Sequence, residues 1–135
     1  MTETNLVKSE TLIAKVLQPA IENGLSHWTL EFADLGLDAS YATFFFPALE
    51  WLEAEGLIRV GEYARTMGGL ANGAAINVHL TSYGMHLLGK TITVGDRKVT
   101  LQEEVRRMSA GERSFSSLGD FVGGLLGGFT KSMGA

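Results

Sequence analysis

The sequence contains no cysteine and only three histidines, which limits the chemistry that it can support. Without cysteine there can be no disulfide framework, no thiolate metal site and no thiol nucleophile. His27, His79 and His86 do not form the four-residue spacing of paired metal ligands on a helix. The chain also lacks a GxSxG serine elbow and a lysine-containing phosphate loop. We therefore expect no catalytic, cofactor-binding or metal-binding residues, and a protein that is not an enzyme.

Long apolar runs are also missing. No stretch approaches the roughly 18 consecutive apolar residues of a transmembrane helix, and residues 1–8 lack the basic and then apolar pattern of a secretory signal. We therefore expect a cytoplasmic protein. Its 135 residues suit one domain, and 45% hydrophobic with 19% charged residues is enough to form a folded core.

The net charge of −4 is distributed unevenly along the chain. Residues 1–55 carry nine acidic side chains and two lysines, whereas residues 56–113 carry eight basic side chains and five acidic ones. The first part would repel phosphate groups, so only the second part could attract a nucleic acid.

Hydrophobic periodicity and turn residues predict an α+β fold. Helical spacing of apolar residues predicts helices at 9–23, 39–56, 82–88 and 99–108. Alternation predicts short strands at 27–32, 57–60 and 75–80, the last two joined into a β-hairpin by a glycine-rich tip at 68–73. The predicted helix-end residues are Gly24 as a stop, Asp38 and Thr81 or Ser82 as N-caps, and Thr100 with Glu103 as a capping box.

A change in composition predicts two parts, a domain at 1–113 and an apolar C-terminal tail at 114–135. The tail has glycines at 119, 123 and 127, a spacing that lets helices approach closely. Glycine costs a helix about 1 kcal/mol per residue, so a helical tail would need support from a partner chain or from its own domain. A flexible tail is the alternative. The tail is too short to span a bilayer and lacks the basic face of a surface anchor.

Two motifs resemble those of known proteins. The run from Phe46 to Ile58 resembles the recognition-helix region of PadR-like winged-helix regulators, which reads aromatic-Pro-x-Leu-x-x-Leu-x-x-x-Gly-Leu-Ile. The run from Val78 to Leu88 resembles their second wing strand and following helix, with the core Leu-Thr-x-x-Gly-x-x-Leu-Leu. The resemblance covers about residues 40–89, and the predicted order of helices and strands agrees with it. It implies a winged helix-turn-helix domain that places one helix in a DNA groove.

The charges on the predicted recognition helix differ from this pattern. Glu50, Glu53 and Glu55 are expected on its exposed face, and Phe46 replaces the usual tyrosine. Carboxylates facing phosphate would weaken DNA binding, which depends largely on lysine and arginine.

Our leading hypothesis is therefore a non-catalytic interaction module that acts through protein–protein contacts and self-association, most simply as a dimer. The predicted helix 39–56 carries an aromatic cluster, defined as Tyr41, Phe44, Phe45, Phe46 and Trp51. Successive residues on a helix point about 100° apart, so these side chains cannot all face inward. The predicted interface residues are Tyr41, Phe44, Trp51, Phe121, Leu125 and Phe129. The alternative hypothesis is a PadR-like DNA-binding regulator that docks through the wing residues Arg59 and Arg65 and the basic region 90–113. Alternatively, Arg59 and Arg65 are solvated side chains on an exposed hairpin that binds no DNA.

Overall fold

The computed structural model describes residues 4–65, 72–94 and 97–110, and its mixture of helices and antiparallel strands confirms the α+β prediction. The helices are α1 at Asn5–Asn23, α2 at Phe45–Ala54, α3 at Ser82–Leu88 and α4 at Leu101–Ser109. The strands are β1 at Trp28–Leu30, β2 at Ile58–Arg65, β3 at Gly73–Leu80, β4 at Thr91–Val94 and β5 at Arg97–Thr100. Two short 3-10 helices, Phe32–Leu35 and Ala39–Phe44, lie between β1 and α2.

Helix α1 begins four residues earlier than predicted. The Thr4 hydroxyl accepts a hydrogen bond from the Val7 backbone N–H at 3.1 Å and caps the helix. Ser9 cannot serve as this cap because it lies inside the first turns, where its hydroxyl donates to the Asn5 carbonyl at 2.8 Å. The predicted end is confirmed, since the helix stops at Asn23 and the next residue, Gly24, has a φ of 58°.

The predicted helix at 39–56 is divided in the structure. Asp38 caps the 3-10 helix Ala39–Phe44 by accepting a hydrogen bond from the Ser40 backbone N–H at 2.8 Å, as predicted. Helix α2 then begins at Phe45, so Pro47 lies in its first turn, where a missing N–H leaves no helical bond unmade.

The central sheet is antiparallel, with strand order β1-β3-β2. Asn77 has a φ of 58° in β3, and the pairing with β1 shifts at this point, which indicates a β-bulge. Strict alternation would bury Ile76 together with Val78 and Leu80, but the bulge turns Ala75 inward instead. This shift keeps one continuous apolar face against α1 and α2.

A second hairpin, formed by β4 and β5, was not predicted. Thr91 pairs with Thr100 at its base. It leads directly into α4, where the predicted capping box is confirmed: the Thr100 hydroxyl accepts from the Glu103 N–H at 3.2 Å, and the Glu103 carboxylate accepts from the Thr100 N–H at 3.0 Å. Helix α4 packs against α1 and buries Leu101 and Val105. Within the described ranges no helix is long and apolar enough to cross a membrane.

Candidate interaction site

A groove of about 280 Å³ lies between α1 and the segment that leads through α2. One wall comes from three α1 residues, Ser9, Glu10 and Ile13, and the other from four residues, Phe44, Pro47, Ala48 and Trp51. The second set follows a spacing of three and four residues, so its side chains form one stripe along the helix. The groove lining is therefore mostly apolar, and the charged or hydroxyl groups in it are the Glu10 carboxylate and the Ser9 hydroxyl.

The aromatic cluster divides between the core and this groove. Phe45 and Phe46 are buried with their rings edge to face at 4.9 Å between centroids. Tyr41, which the sequence placed at an interface, is only 9% exposed and belongs to the same core. Phe44 and Trp51 are half-buried and line the groove. Of the predicted interface aromatics in the described part of the chain, these two can reach another molecule.

Glu10 is a groove residue that the sequence reasoning missed. Its side chain is 3% exposed, and burial raises the pKa of its carboxyl group above the usual value. Within the described residues, its carboxylate makes no hydrogen bond and no ion pair. Its position in the sequence could have indicated this burial. Glu10 comes three residues before Ile13 and seven before Leu17, which places it on the apolar face of α1.

The acidic residues of α2 are largely engaged by the hairpin of β2 and β3. Glu53 accepts hydrogen bonds from the Val60 backbone N–H at 3.1 Å and from the Tyr63 hydroxyl at 2.9 Å. Burial, followed by the hydrogen bond to Glu53, raises the pKa of the Tyr63 phenol. Glu53 is therefore only partly exposed, in contrast to the prediction, while Glu50 and Glu55 are exposed.

The two arginines predicted as DNA contacts have different surroundings. Arg65 forms an ion pair with Glu50, and its guanidinium lies over the Phe46 ring at 4.5 Å from the centroid. Arg59 is exposed on β2, opposite His79 of β3. The structure thus leaves Arg59 at the surface and holds Arg65 against α2.

The other predicted site residues give no further cluster. Phe121, Leu125 and Phe129, like the whole of the predicted tail, lie outside the described residues. His79 stacks on His27 with ring centroids 4.5 Å apart. In the part of the chain that the structure describes, no group of three or more histidine, aspartate or glutamate side chains could hold a metal ion.

Comparison with known protein families, with curated proteins and with solved structures finds no match for this chain.

Proposed function

We propose that this protein is a winged-helix-type, non-catalytic interaction module that self-associates through the groove between α1 and α2. The winged-helix part of the proposal is supported by the chain order of α1, β1, α2, β2 and β3 and by the sheet order β1-β3-β2. The resemblance at residues 40–89 supports the same arrangement. This fold class hosts both DNA-binding and protein-binding members, so the choice between them depends on the surface.

The observation that carries the proposal is the pair of half-buried aromatic side chains at the groove, Phe44 and Trp51. Aromatic side chains beside an apolar depression, with few charges around them, are typical of the centre of a protein–protein interface. Pro47 is exposed between them and adds apolar surface without a backbone N–H.

The occupant that we propose is the apolar tail of a second copy, residues 114–135. This segment carries only Asp120 and Lys131 as charged residues and has leucine and phenylalanine side chains at short intervals. An apolar segment of this kind gains free energy when it leaves water for the groove. Exchange of tails between two copies would give a symmetric dimer.

The proposal is tested by the mass of the full-length protein in solution. We expect a dimer by size-exclusion chromatography with light scattering, and dissociation into monomers when Trp51→Ala or Pro47→Glu is introduced. A central tryptophan typically contributes about 2 kcal/mol or more to an interface, so the dimer dissociation constant should rise about thirtyfold. Pro47→Glu places a charge at the groove without removing core packing. Leu25→Ala, at a side chain that is 70% exposed, is the matched control.

A 1–113 truncation completes the test, because it ends after α4 and keeps every described element. We expect it to be folded and monomeric. If Trp51→Ala, Pro47→Glu and the truncation all leave the mass of the protein unchanged, self-association through this groove is wrong.

DNA binding is the second candidate, and the exposed Arg59 together with Lys98 and Arg106 favours it. The same samples are therefore titrated with random duplex DNA at low salt. The interaction-module proposal predicts no binding. Salt-dependent binding that Arg59→Glu weakens for every sequence would replace it with the regulator hypothesis.

A further inference from the structure

Among the described residues that line the groove, Glu10 is the one with a charged side chain, and it is largely buried there. Its side chain is 3% exposed and lines the groove, and its oxygens are not among the fully buried polar atoms, so the carboxylate faces the space of the groove. Among the residues that the structure describes, none donates a hydrogen bond to it. A buried carboxylate is costly unless a cation or hydrogen-bond donors compensate it. A positively charged or hydrogen-bond-donating group in the groove would compensate this carboxylate.

The neighbouring side chains determine which kind of group would fit. Phe44 and Trp51 present aromatic rings, whose faces attract cations, and Ile13 adds aliphatic surface. Ser9 also lines the groove, and because its hydroxyl hydrogen is donated to the Asn5 carbonyl at 2.8 Å, its oxygen can serve only as a further acceptor. The polar groups of Ser9 and Glu10 are thus both acceptors. An anion would be repelled, whereas a group that donates hydrogen bonds would pair with the carboxylate.

We propose that this groove binds a small organic ammonium compound, with the N–H groups donating to Glu10 and the apolar body lying against Ile13, Phe44 and Trp51. The volume of about 280 Å³ falls just below the common range of ligand pockets, roughly 300–1,000 Å³, so the ligand is small, for example an arylalkylamine. The proposal uses the same groove as the proposed self-association, but it needs no second copy.

The test is calorimetric titration of the full-length protein at neutral pH with 2-phenylethylammonium, and with 2-phenylethanol as the neutral analogue. Glu10→Gln keeps the shape of the side chain and removes its charge. Glu22→Gln, an exposed position on the same helix, is the matched control. We expect saturable binding of the ammonium compound to the wild type and to Glu22→Gln, and binding about tenfold or more weaker to Glu10→Gln. The alcohol should bind the wild type more weakly than the amine does.

Two results would overturn the proposal: no saturable binding of the amine to the wild type, or equal binding to the wild type and Glu10→Gln. A thermal melt of each variant shows that it is folded before titration. The measurements are made at the lowest protein concentration that the calorimeter allows, with light scattering on the same samples. Amine binding to a protein that is monomeric at every concentration would leave this inference standing and refute self-association. A Trp51-dependent dimer that binds no amine would support self-association and refute this inference.

Discussion

Replacing Gly84 with alanine should destabilise the domain strongly, because α3 approaches the start of β2 at this residue. A Cβ atom at position 84 would lie 2.2 Å from the Leu57 carbonyl oxygen and 3.1 Å from its carbon. Ordinary contacts of a Cβ begin near 3.4 Å, so the backbones would have to separate by about 1.2 Å. The Leu57 carbonyl also accepts the Thr81 N–H at 3.0 Å, and this separation would break that bond.

The size of the effect follows from three contributions. Overpacking against backbone costs about 3 kcal/mol at the upper end of its usual range. The lost hydrogen bond adds about 1 kcal/mol to this cost. Alanine has a higher helix propensity than glycine, which offsets about 1 kcal/mol. The net loss is about 3 kcal/mol, a large part of the roughly 5–15 kcal/mol that stabilises a typical domain.

Urea unfolding followed by circular dichroism measures this loss directly. Gly89→Ala, at the end of the same helix, is the control, since its Cβ would meet nothing closer than 3.6 Å and its φ is −82°. It should change the free energy of unfolding by no more than about 0.5 kcal/mol in either direction. If Gly84→Ala were as mild as Gly89→Ala, the close approach of α3 to β2 would be refuted.

Two further predictions concern the hairpin and its connections. Because the pKa of Tyr63 is raised in the folded protein, the unfolded chain releases this proton first as the pH rises above about 10. The free energy of unfolding should therefore fall above that pH in the wild type and fall less in Tyr63→Phe, as measured by urea unfolding at a series of pH values. Glu53→Gln should lower the pKa of Tyr63. Equal losses of stability at alkaline pH in the wild type and Tyr63→Phe would contradict this prediction. Thr81→Val removes the acceptor of the Gly84 N–H, at 2.9 Å, and should cost about 1–2 kcal/mol, whereas Thr81→Ser should retain most of the stability. Equal unfolding midpoints for these two variants would show that the cap is unimportant.

The sequence predicted best those features that depend on neighbours in the chain. Asp38, Thr81 and the pair of Thr100 with Glu103 cap the helices that they were expected to cap, because each makes its bond within two or three residues. The Gly24 stop is confirmed for the same reason.

Features that depend on tertiary packing could not be derived in this way. The inward turn of Ala75 follows from the bulge at Asn77, which is a property of strand pairing. The hairpin of β4 and β5 has a sequence pattern that indicates it, since Gly95–Asp96 lies between segments with β-branched residues, but only the helix that follows was predicted.

The candidate site shows the same division. Trp51 and Phe44 could be selected as surplus aromatics, because a helix cannot bury side chains on all sides at once. Tyr41 belonged to the same cluster in the sequence, and only packing against the core separates it from the others. Glu10 was overlooked because an acidic residue in a helix is normally solvated, and its burial is a property of tertiary packing.

The acidic residues of α2 and the side chains of the β2–β3 hairpin were considered separately in the sequence, but in the fold they contact one another. Glu50 neutralises Arg65, and Glu53 binds Tyr63 and the β2 backbone. The exposed ion pair itself contributes little stability, about 0–1 kcal/mol, so Arg65 could be released. Release toward a phosphate, however, would leave the Glu50 carboxylate facing the same phosphate, and the repulsion would offset the new attraction. A polyanion therefore gains little on this face.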